Sequence, residues 1–284
     1  MKNSDEGARR SGPPIVFCES LTYSYPASTR PALTDVTFGL RAGEYVGVVG
    51  PNGGGKSTLV RLLNGLLRAD SGSVRVGSLD PATEPYLVRR RVGMLFQNPD
   101  NGLVAPFVED DVAFGLENLG IEREEMRERV REAILAVGLQ GYERREPHTL
   151  SGGEKQRVAL AGLIALDPEI LLLDEPTSML DASGRREVME RLENLRGERT
   201  VLHVTHHIEE LLDSDRILVL NAGRLAADVS PEQLLSDASL LRENRLTLPP
   251  VLRLAAGLGL GTAKLRTPEE LAREIGEKSG ARAR

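Results

Sequence analysis

The sequence has a single cysteine, no net positive charge and no long apolar run, and each absence excludes a class of protein. Cys18 is the only cysteine in 284 residues, so the chain forms no internal disulfide and fits a reducing compartment. The formal net charge is −6, so we expect no nucleic-acid partner. The longest apolar stretch, Val158 to Leu166, is nine residues long, whereas a membrane-spanning helix needs about 20.

The N-terminus is polar, carries both signs of charge and has no apolar segment, so it does not have the pattern of a signal peptide. We expect residues 1–14 to be a disordered lead, and the protein to be cytosolic unless another component holds it at a membrane. Hydrophobic residues make up 40% of the chain, which is enough for a core. Cys18 is interpreted as a small buried apolar residue near an early strand.

Short apolar runs alternate with helical segments along the first 229 residues. Alternating strands and helices predict an α/β fold whose sheet is covered on both faces. The stretch from about 99 to 166 is mostly helical and lies between two core strands, so we predict a helical subdomain inserted into the sheet domain. Strands are predicted at Ile15–Tyr23, Leu33–Leu40, Tyr45–Val49, Ile170–Leu173 and Val201–Val204, and helices at about Lys56–Leu66 and Ile121–Leu139.

The C-terminal third closes the sheet domain and adds a short appendage. A hairpin is predicted from Ile217–Leu220 to Leu225–Val229, and Ser230 is expected to cap a following helix. We place the sheet domain at 15–236 and a mainly helical appendage at 237–284. Its second helical piece is expected to open at Thr267-Pro268-Glu269-Glu270.

A glycine-rich turn follows the apolar run that ends at Val49, and it fits the phosphate-loop pattern G-x-x-x-x-G-K-[ST]. Glycines let successive backbone N–H groups face phosphate oxygens, and the helix that begins at Lys56 adds its positive end. Lys56 is expected to reach the β- and γ-phosphates and Ser57 to ligate Mg²⁺. A chance strand–turn–helix match is the alternative, and the flanking elements disfavour it. The predicted ATP-binding residues are Gly50, Pro51, Asn52, Gly53, Gly54, Gly55, Lys56, Ser57 and Thr58.

Two carboxylates end a buried strand about 115 residues after this loop. Asp174 is expected to hold Mg²⁺ through a water, and Glu175 to accept a proton from, or orient, the water that attacks the γ-phosphate. Between these motifs, Ser151-Gly152-Gly153-Glu154 opens a helix and has the features of a second anion-binding terminus. An ordinary N-cap with flexible glycines is the alternative for this segment.

The order of phosphate loop, Leu-Ser-Gly-Gly segment and Asp-Glu strand resembles the ABC ATPases, over about Ile15 to Val229. The resemblance implies a P-loop ABC ATPase domain with a mixed sheet, and ATP and Mg²⁺ as its ligands. It also implies that two such domains dimerise head to tail, with each ATP between one chain's phosphate loop and the other's signature. Ser151, Gly152 and Gly153 would then contact ATP bound to the partner.

The resemblance assigns roles to four further residues. Tyr25 is expected to stack on adenine, although Tyr23 competes for that role and either ring could be a core aromatic. Gln97 would touch Mg²⁺ and the attacking water, and Asp181 would communicate across the dimer. His206 would hydrogen-bond the γ-phosphate. Glu175, His206 and Gln97 are thus the predicted catalytic residues, and Ser57, Gln97 and Asp174 the predicted metal ligands.

A histidine cluster and two departures from the family pattern bear on the chemistry of this site. His203, His206 and His207 could suggest a metal centre, but neighbouring side chains on a strand face opposite ways and cannot readily converge. Gly54 stands where the family often has serine, and its backbone N–H should still serve phosphate. Glu154 stands where glutamine is usual, and it would bring a carboxylate near the partner's nucleotide, which could weaken binding or slow turnover.

Phe96–Asn101 and Val108–Asn118 are closely similar to the ATPases of energy-coupling factor importers. That resemblance implies a second ATPase chain, either a copy or a paralogue, a transmembrane coupling protein and a membrane protein that captures a vitamin or transition-metal ion. The chain would be peripheral, on the cytoplasmic face of the membrane. Alternatives are the ATPase of another ABC importer, or a soluble ABC ATPase of DNA repair or translation. The spacing of about 94 residues from Lys56 to Ser151 leaves no room for a repair-type coiled coil.

The segment from Gln97 to Phe107 is expected to receive a helix of the coupling protein. Apolar residues there would form a socket and acidic residues its rim, which suits an amphipathic helix that presents Arg or Lys. The alternative is that the apolar residues fill the subdomain core and the acids are only solvated. The apolar set is Leu103, Val104, Pro106 and Phe107, and the acidic set is Asp100, Glu109, Asp110 and Asp111.

Overall fold

The computed structural model describes residues 12–26, 28–258, 260 and 270–276. Its strands β1 to β9 are Val16–Tyr23, Leu33–Leu40, Tyr45–Val49, Ser71–Val76, Val92–Leu95, Ile170–Asp174, Thr200–Val204, Arg216–Asn221 and Arg224–Val229. They form a six-stranded sheet in the order β5-β6-β7-β3-β8-β9 and a three-stranded sheet in the order β2-β1-β4. The helices α1 to α9 are Lys56–Leu63, Pro85–Arg89, Val108–Leu119, Arg123–Ala136, Gly152–Leu166, Ala182–Asn194, Pro231–Ser236, Ala238–Glu243 and Pro250–Gly257.

The six-stranded sheet is mixed, because β5, β6, β7, β3 and β8 run parallel and β9 is antiparallel to β8. All five residues of β3, of β6 and of β7 are buried. Burial on both faces explains why β3 and the first four residues of β6 are continuous apolar runs rather than alternating patterns. Val204 pairs with Val48 on one side and with Asp174 on the other. The segments that follow β3, β6 and β7 therefore emerge side by side at one edge of the sheet.

Successive residues of β3 face two separate cores. Val46 and Val48 join a cluster with α1 and the three-stranded sheet, in which Cys18 is buried as predicted. Tyr45 and Val49 join the other cluster, which includes residues of α3, α4, α5 and α6. One face is thus covered mainly by helices, as predicted, whereas α1 shares the other face with an antiparallel sheet. Burial raises the pKa of the Cys18 thiol.

The predicted helical insertion lies between β5 and β6 as α3, α4 and α5, and two predicted helices are shorter than expected. The helix predicted over Ile121–Leu139 begins at Arg123, because the Glu122 side chain accepts a hydrogen bond from the N–H of Glu124 and caps it. The helix predicted to reach Leu66 ends at Leu63, since Gly65 adopts a positive φ of 65° just beyond it. In both cases a local cap overrides the periodicity of apolar residues.

The C-terminal segment packs against the sheet domain. The predicted β8–β9 hairpin is present, and Ser230 forms a capping box at the start of α7. Leu252, Ala255, Leu260 and Leu271 belong to the same cluster as Tyr45. The boundary at 236/237 stays a prediction, as does the lead, of which residues 1–11 lie outside the described part. Residues 267–269 of the second predicted helical piece also lie outside it, and 270–276 are helical.

No helix among the described residues is both long and apolar enough to cross a bilayer.

Candidate nucleotide-binding site

A cavity of about 1000 Å³ lies where β3, β6 and β7 end, and residues from distant parts of the chain line it. The phosphate-loop residues 52–58 contribute one wall, and Tyr25, Gln97, Glu175 and His206 contribute others. The parallel register explains this convergence, because ligands of α/β sheets bind beyond the carboxyl ends of the strands.

The phosphate loop requires glycine at two positions. Gly50 has a φ of 149°, and a Cβ there would lie 1.8 Å from the carbonyl oxygen of Leu220. Gly55 has a φ of 102°, and a Cβ there would lie 2.5 Å from the carbonyl oxygen of Ala32. Only glycine fits both the conformation and the space. Helix α1 follows with no side-chain cap and no acid in its first turn, so its N-terminal N–H groups suit an anion.

Gly54 departs from the expectation in one respect. Its N–H donates to the carbonyl oxygen of Pro51 at 3.0 Å, so in this conformation the loop itself uses that donor. A Cβ at Gly54 would lie 2.9 Å from the same carbonyl oxygen, which is closer than a side chain tolerates. The glycine therefore suits the tight turn between Pro51 and Gly55.

Lys56 lies buried within the loop that it follows. Its Nζ donates to the carbonyl oxygens of Gly50 at 2.9 Å and Pro51 at 3.2 Å. Burial lowers the pKa of Lys56, and the nearby carboxylates of Glu175 and Asp174 act in the opposite direction. The Lys56 ammonium group thus binds the carbonyl oxygens of the loop and lies near the carboxylates of Glu175 and Asp174.

Ser57 and Asp174 bring two oxygen donors together, since Ser57 Oγ donates to Asp174 Oδ1 at 3.0 Å. Burial raises the pKa of Asp174, and the bond from Ser57 opposes that effect. A hydroxyl and a carboxylate are hard oxygen ligands of the kind that Mg²⁺ prefers when substrate phosphates supply the others. These residues therefore fit a magnesium ion. No cluster of three or more His, Cys, Asp or Glu side chains with metal-binding geometry occurs in the described ranges.

The three predicted catalytic residues meet at one oxygen atom. Glu175 Oε2 accepts a hydrogen bond from Gln97 Nε2 at 3.3 Å, and His206 Nδ1 lies 3.2 Å from it. Glu175 has a φ of 52°, a left-handed conformation that costs about 1–2 kcal/mol for a residue with a side chain. Its N–H donates to the carbonyl oxygen of Val204 at 2.9 Å, which ties the strained residue to β7. Strain of this kind is typical of functional sites.

The two candidate aromatic residues occupy different environments. Tyr25 lines the cavity, and its hydroxyl lies 3.3 Å from Thr58 Oγ1. Tyr23 is buried on β1 and packs edge-on against Tyr25, with ring centroids 5.0 Å apart. Tyr25 is thus the ring that a nucleotide could reach, and its stacking on adenine stays a prediction. Arg30 and Ala222 also line the cavity and were not predicted, because the turns that carry them have no motif.

The signature residues and Asp181 are absent from the described residues that line this cavity. Ser151 is exposed and caps α5, while Asp181 caps α6 by accepting from the N–H of Gly184 at 2.8 Å. Gly152 and Gly153 pack against the loop before α6, since a Cβ at Gly152 would lie 3.1 Å from Met179 Sδ. The predicted ATP-contacting residues of this chain therefore lie in two separate places.

Comparison with known proteins identifies the fold family. The family model described as "ABC transporter" matches residues 33–178. The Levilactobacillus brevis protein named energy-coupling factor transporter ATP-binding protein EcfA1 is 49% identical over 86% of this chain and 88% of its own length. The EcfA1 protein of Geobacillus kaustophilus is 45% identical over 92% and 96%.

This chain belongs to the energy-coupling factor group of ABC transporter ATP-binding proteins.

Two solved structures agree with that assignment. CbiO1 of Clostridium perfringens, described as part of the ABC transporter complex cbiONQ, has a TM-score of 0.69 at 31% identity, covering 86% of this chain and all of its own. The ATP-binding cassette MJ0796, solved as a dimer with ADP and phosphate, has a TM-score of 0.69 at 28% identity, covering 76% and 98%. Members of this family hydrolyse ATP to power transport, and this chain is such an ATPase.

In this ABC ATPase, Glu154 engages the signature serine of its own chain. Its Oε2 accepts from Ser151 Oγ at 2.7 Å and from the Ser151 N–H at 2.8 Å. Tyr142 donates to the other carboxylate oxygen at 2.9 Å. The bonds from Ser151 and Tyr142 lower the pKa of Glu154 to about 2, so the group stays ionised at neutral pH. The hydroxyl proton of Ser151 is therefore held by a carboxylate.

We expect the Glu154→Gln variant to bind ATP more tightly in its paired form. A neutral amide holds the Ser151 hydroxyl less firmly and does not repel a γ-phosphate, and a charge-assisted hydrogen bond is stronger than a neutral one by about 1 kcal/mol. The apparent KM for ATP should fall by about 3- to 10-fold in steady-state phosphate-release assays. The Tyr142→Phe variant, which keeps the carboxylate, is the matched control. An unchanged or higher KM in Glu154→Gln would show that the carboxylate does not oppose nucleotide binding.

Proposed function

We propose that this chain is the ATP-hydrolysing subunit that powers import by an energy-coupling factor transporter, with Glu175 as the catalytic base. The observation that carries the proposal is the meeting of Glu175, Gln97 and His206 beside Lys56 and the Ser57–Asp174 pair. The transported compound would be a vitamin or a transition-metal ion, and the chain would lie peripherally on the cytoplasmic face of the membrane.

In the proposed reaction, a water molecule attacks the γ-phosphorus of ATP. The new bond forms to the water oxygen, the bond to the bridging oxygen breaks, and its electron pair leaves with ADP. Glu175 accepts the water proton, Gln97 orients the water, and His206 donates a hydrogen bond to the γ-phosphate. Lys56 and the N-terminus of α1 bind the phosphates, and Tyr25 stacks on adenine. Ser57, Asp174 and Gln97 would hold Mg²⁺, which neutralises charge on the phosphates when it is bound.

We further propose that the site is completed by a second ATPase chain, whether a copy or a paralogue. Ser151, Gly152 and Gly153 lie at the exposed start of α5 and not at the chain's own cavity. Head-to-tail pairing would place them opposite the partner's phosphate loop. The similarity to a cassette that was solved as a dimer supports this arrangement. Asp181, two residues after Met179, would lie near the contact between the chains.

The docking surface proposed for the membrane coupling protein is the depression lined by Asp100, Leu103, Val104, Ala105, Pro106, Glu146, Pro147 and His148. It encloses about 400 Å³. Val104 and Pro106 are exposed in it, whereas Leu103 also packs against the core. The apolar residues are therefore divided between a surface and the subdomain core, which favours neither sequence interpretation alone.

The acidic residues around this surface do not form the continuous negative rim that the sequence predicted. Asp100 pairs with Lys155 at 2.7 Å, and Glu109 pairs with Arg144 at 3.0 Å. Asp111 is half-buried and accepts from the N–H of Val104 at 2.9 Å, so it fixes the loop that carries the docking surface. Burial raises the pKa of Asp111. Asp110 is exposed. The proposed partner helix would therefore be recognised through Val104 and Pro106 more than through charge.

We expect Glu175→Gln to keep ATP binding and to lower steady-state hydrolysis by about 10²- to 10⁴-fold, because an amide cannot accept the proton of the attacking water. Phosphate release and the affinity for a fluorescent ATP analogue would be measured together. Glu169→Gln, just before the opposite end of the same strand, is the matched control and should hydrolyse ATP at the wild-type rate. Lys56→Ala, in contrast, should lose both hydrolysis and affinity for ATP. Hydrolysis by Glu175→Gln within a few-fold of wild type would exclude Glu175 as the base.

We expect Val104→Glu to abolish co-purification with the membrane coupling protein while ATP binding is kept, because a charge would be buried at an apolar contact. Leu135→Glu is the matched control, since Val104 is 64% and Leu135 is 52% exposed and both lie in the helical insertion. The readouts are co-purification from detergent and the thermal unfolding midpoint. If Val104→Glu assembles as well as Leu135→Glu, the docking surface lies elsewhere.

A further inference from the structure

We propose that Glu210 is a positioning residue that holds His206 and the segment after Glu175 in their catalytic arrangement. This inference rests on the proposed function of the site. Glu210 does not line the cavity, and it lies on the single turn of 3₁₀ helix Ile208–Leu211 that follows β7. Its side chain is 2% exposed.

The carboxylate of Glu210 connects the two segments that carry the reactive groups. Its Oε1 accepts from Thr177 Oγ1 at 2.6 Å, and Thr177 is two residues after Glu175. Its Oε2 accepts from Thr205 Oγ1 at 2.9 Å, and Thr205 directly precedes His206. Both donors are buried. One side chain therefore fixes the loop after β6 and the loop after β7 to each other.

Thr205 extends this connection to both sides of His206. Its Oγ1 also accepts from the N–H of His207 at 3.0 Å. A hydroxyl has a single proton, so donation to Glu210 turns the lone pairs of Thr205 Oγ1 towards that N–H. Without the Glu210 carboxylate the Thr205 hydroxyl is free to rotate. The hydrogen bond from the His207 N–H to Thr205 Oγ1, which spans His206, then has no fixed acceptor orientation. The imidazole of His206 must stay within reach of Glu175, whose Oε2 lies 3.2 Å from Nδ1.

Positive and polar groups surround the buried charge of Glu210. Arg185 Nε, on α6, lies 3.6 Å from Oε1, and His203 Nε2 lies 3.4 Å from Oε2. The hydroxyl of Tyr45 lies 2.8 Å from His203 Nδ1. A carboxylate only accepts, so Nε2 is the ring nitrogen that would carry a proton towards Glu210, with Tyr45 donating to Nδ1. Burial raises the pKa of Glu210, but His203 and the two threonines outweigh it, and the pKa falls to about 2.

The contacts of Glu210 join segments that carry proposed catalytic residues, whereas a purely structural ion pair would join parts of the core. Arg185 belongs to the helix that Asp181 caps, Thr177 to the segment after the proposed base, and Thr205 to the segment before His206. A buried carboxylate that accepts a hydrogen bond on each oxygen resists displacement, because each bond that breaks leaves an unpaired polar group. The arrangement therefore restricts the relative motion of Glu175 and His206 more than it adds to the core.

The test uses the full chain in its ATP-hydrolysing assembly, with steady-state phosphate release at varied ATP. Glu210→Gln keeps the size of the side chain but removes its charge and one acceptor. We expect kcat to fall by about 10- to 100-fold, as for small displacements of reacting groups, and KM for ATP to stay within about threefold. Thr205→Val, which is nearly isosteric, should change kcat in the same direction, and it decides the question if Glu210→Gln does not fold. Glu209→Gln, at the exposed neighbouring position, is the matched control and should keep the wild-type kcat.

A double-mutant cycle separates positioning from a general loss of stability. In the His206→Ala background, Glu210→Gln should lower kcat by a smaller factor than it does in the wild-type chain, because one of the two groups that it positions is already gone. Independent, multiplicative effects of the two substitutions would overturn the proposal, as would a wild-type kcat in both Glu210→Gln and Thr205→Val. If the wild-type chain does not hydrolyse ATP, or Glu175→Gln does, the proposed function fails instead.

Discussion

Parallel pairing of β3, β7 and β6 is the constraint on which the site depends. These strands are buried on both faces, so most of their residues are apolar, and the phosphate loop, Glu175 and His206 lie just beyond the strand ends. Because Val204 pairs with both Val48 and Asp174, the three strand ends align. The phosphate loop, Glu175 and His206 consequently meet at one edge of the sheet. The burial of fifteen strand residues, at about 1.5–3 kcal/mol for each large apolar side chain, outweighs the local strain at Glu175.

The sequence was most informative where local chemistry determines the outcome. Apolar runs of four or five residues that end at glycine or polar residues predict buried strands, and Gly50 and Gly55 stand where backbone crowding leaves no room for a side chain. The roles assigned to Gln97 and His206 came from the family resemblance, because their contact with Glu175 spans 78 residues in one case and joins two loops in the other. The helix ends at Leu63 and Arg123 could not be predicted from the spacing of apolar residues, because local caps determine them.

Charges were the least predictable feature. Asp100, Glu109 and Asp111 lie close together in sequence and were interpreted as one acidic rim, yet two are paired with cations and the third bonds a backbone N–H. The partner of Asp100 lies 55 residues away, so no local pattern shows it. Glu210 sits beside Glu209 in a polar stretch, and only the fold shows that one is buried and the other exposed. Sequence reasoning also placed Glu154 near the partner's nucleotide without indicating that it binds Ser151 of its own chain.

The separation of Ser151 from the cavity makes the pairing of two chains the central claim. Mixing Lys56→Ala chains with Ser151→Ala chains tests it most directly, because a mixed head-to-tail pair has one site with both defects and one site with neither. The account predicts that the mixture recovers a substantial fraction of wild-type phosphate release, although each variant alone is inactive, and that the wild-type rate per chain falls on dilution. A mixture no more active than its components, together with a wild-type rate per chain that is independent of dilution, would contradict a site shared between two chains.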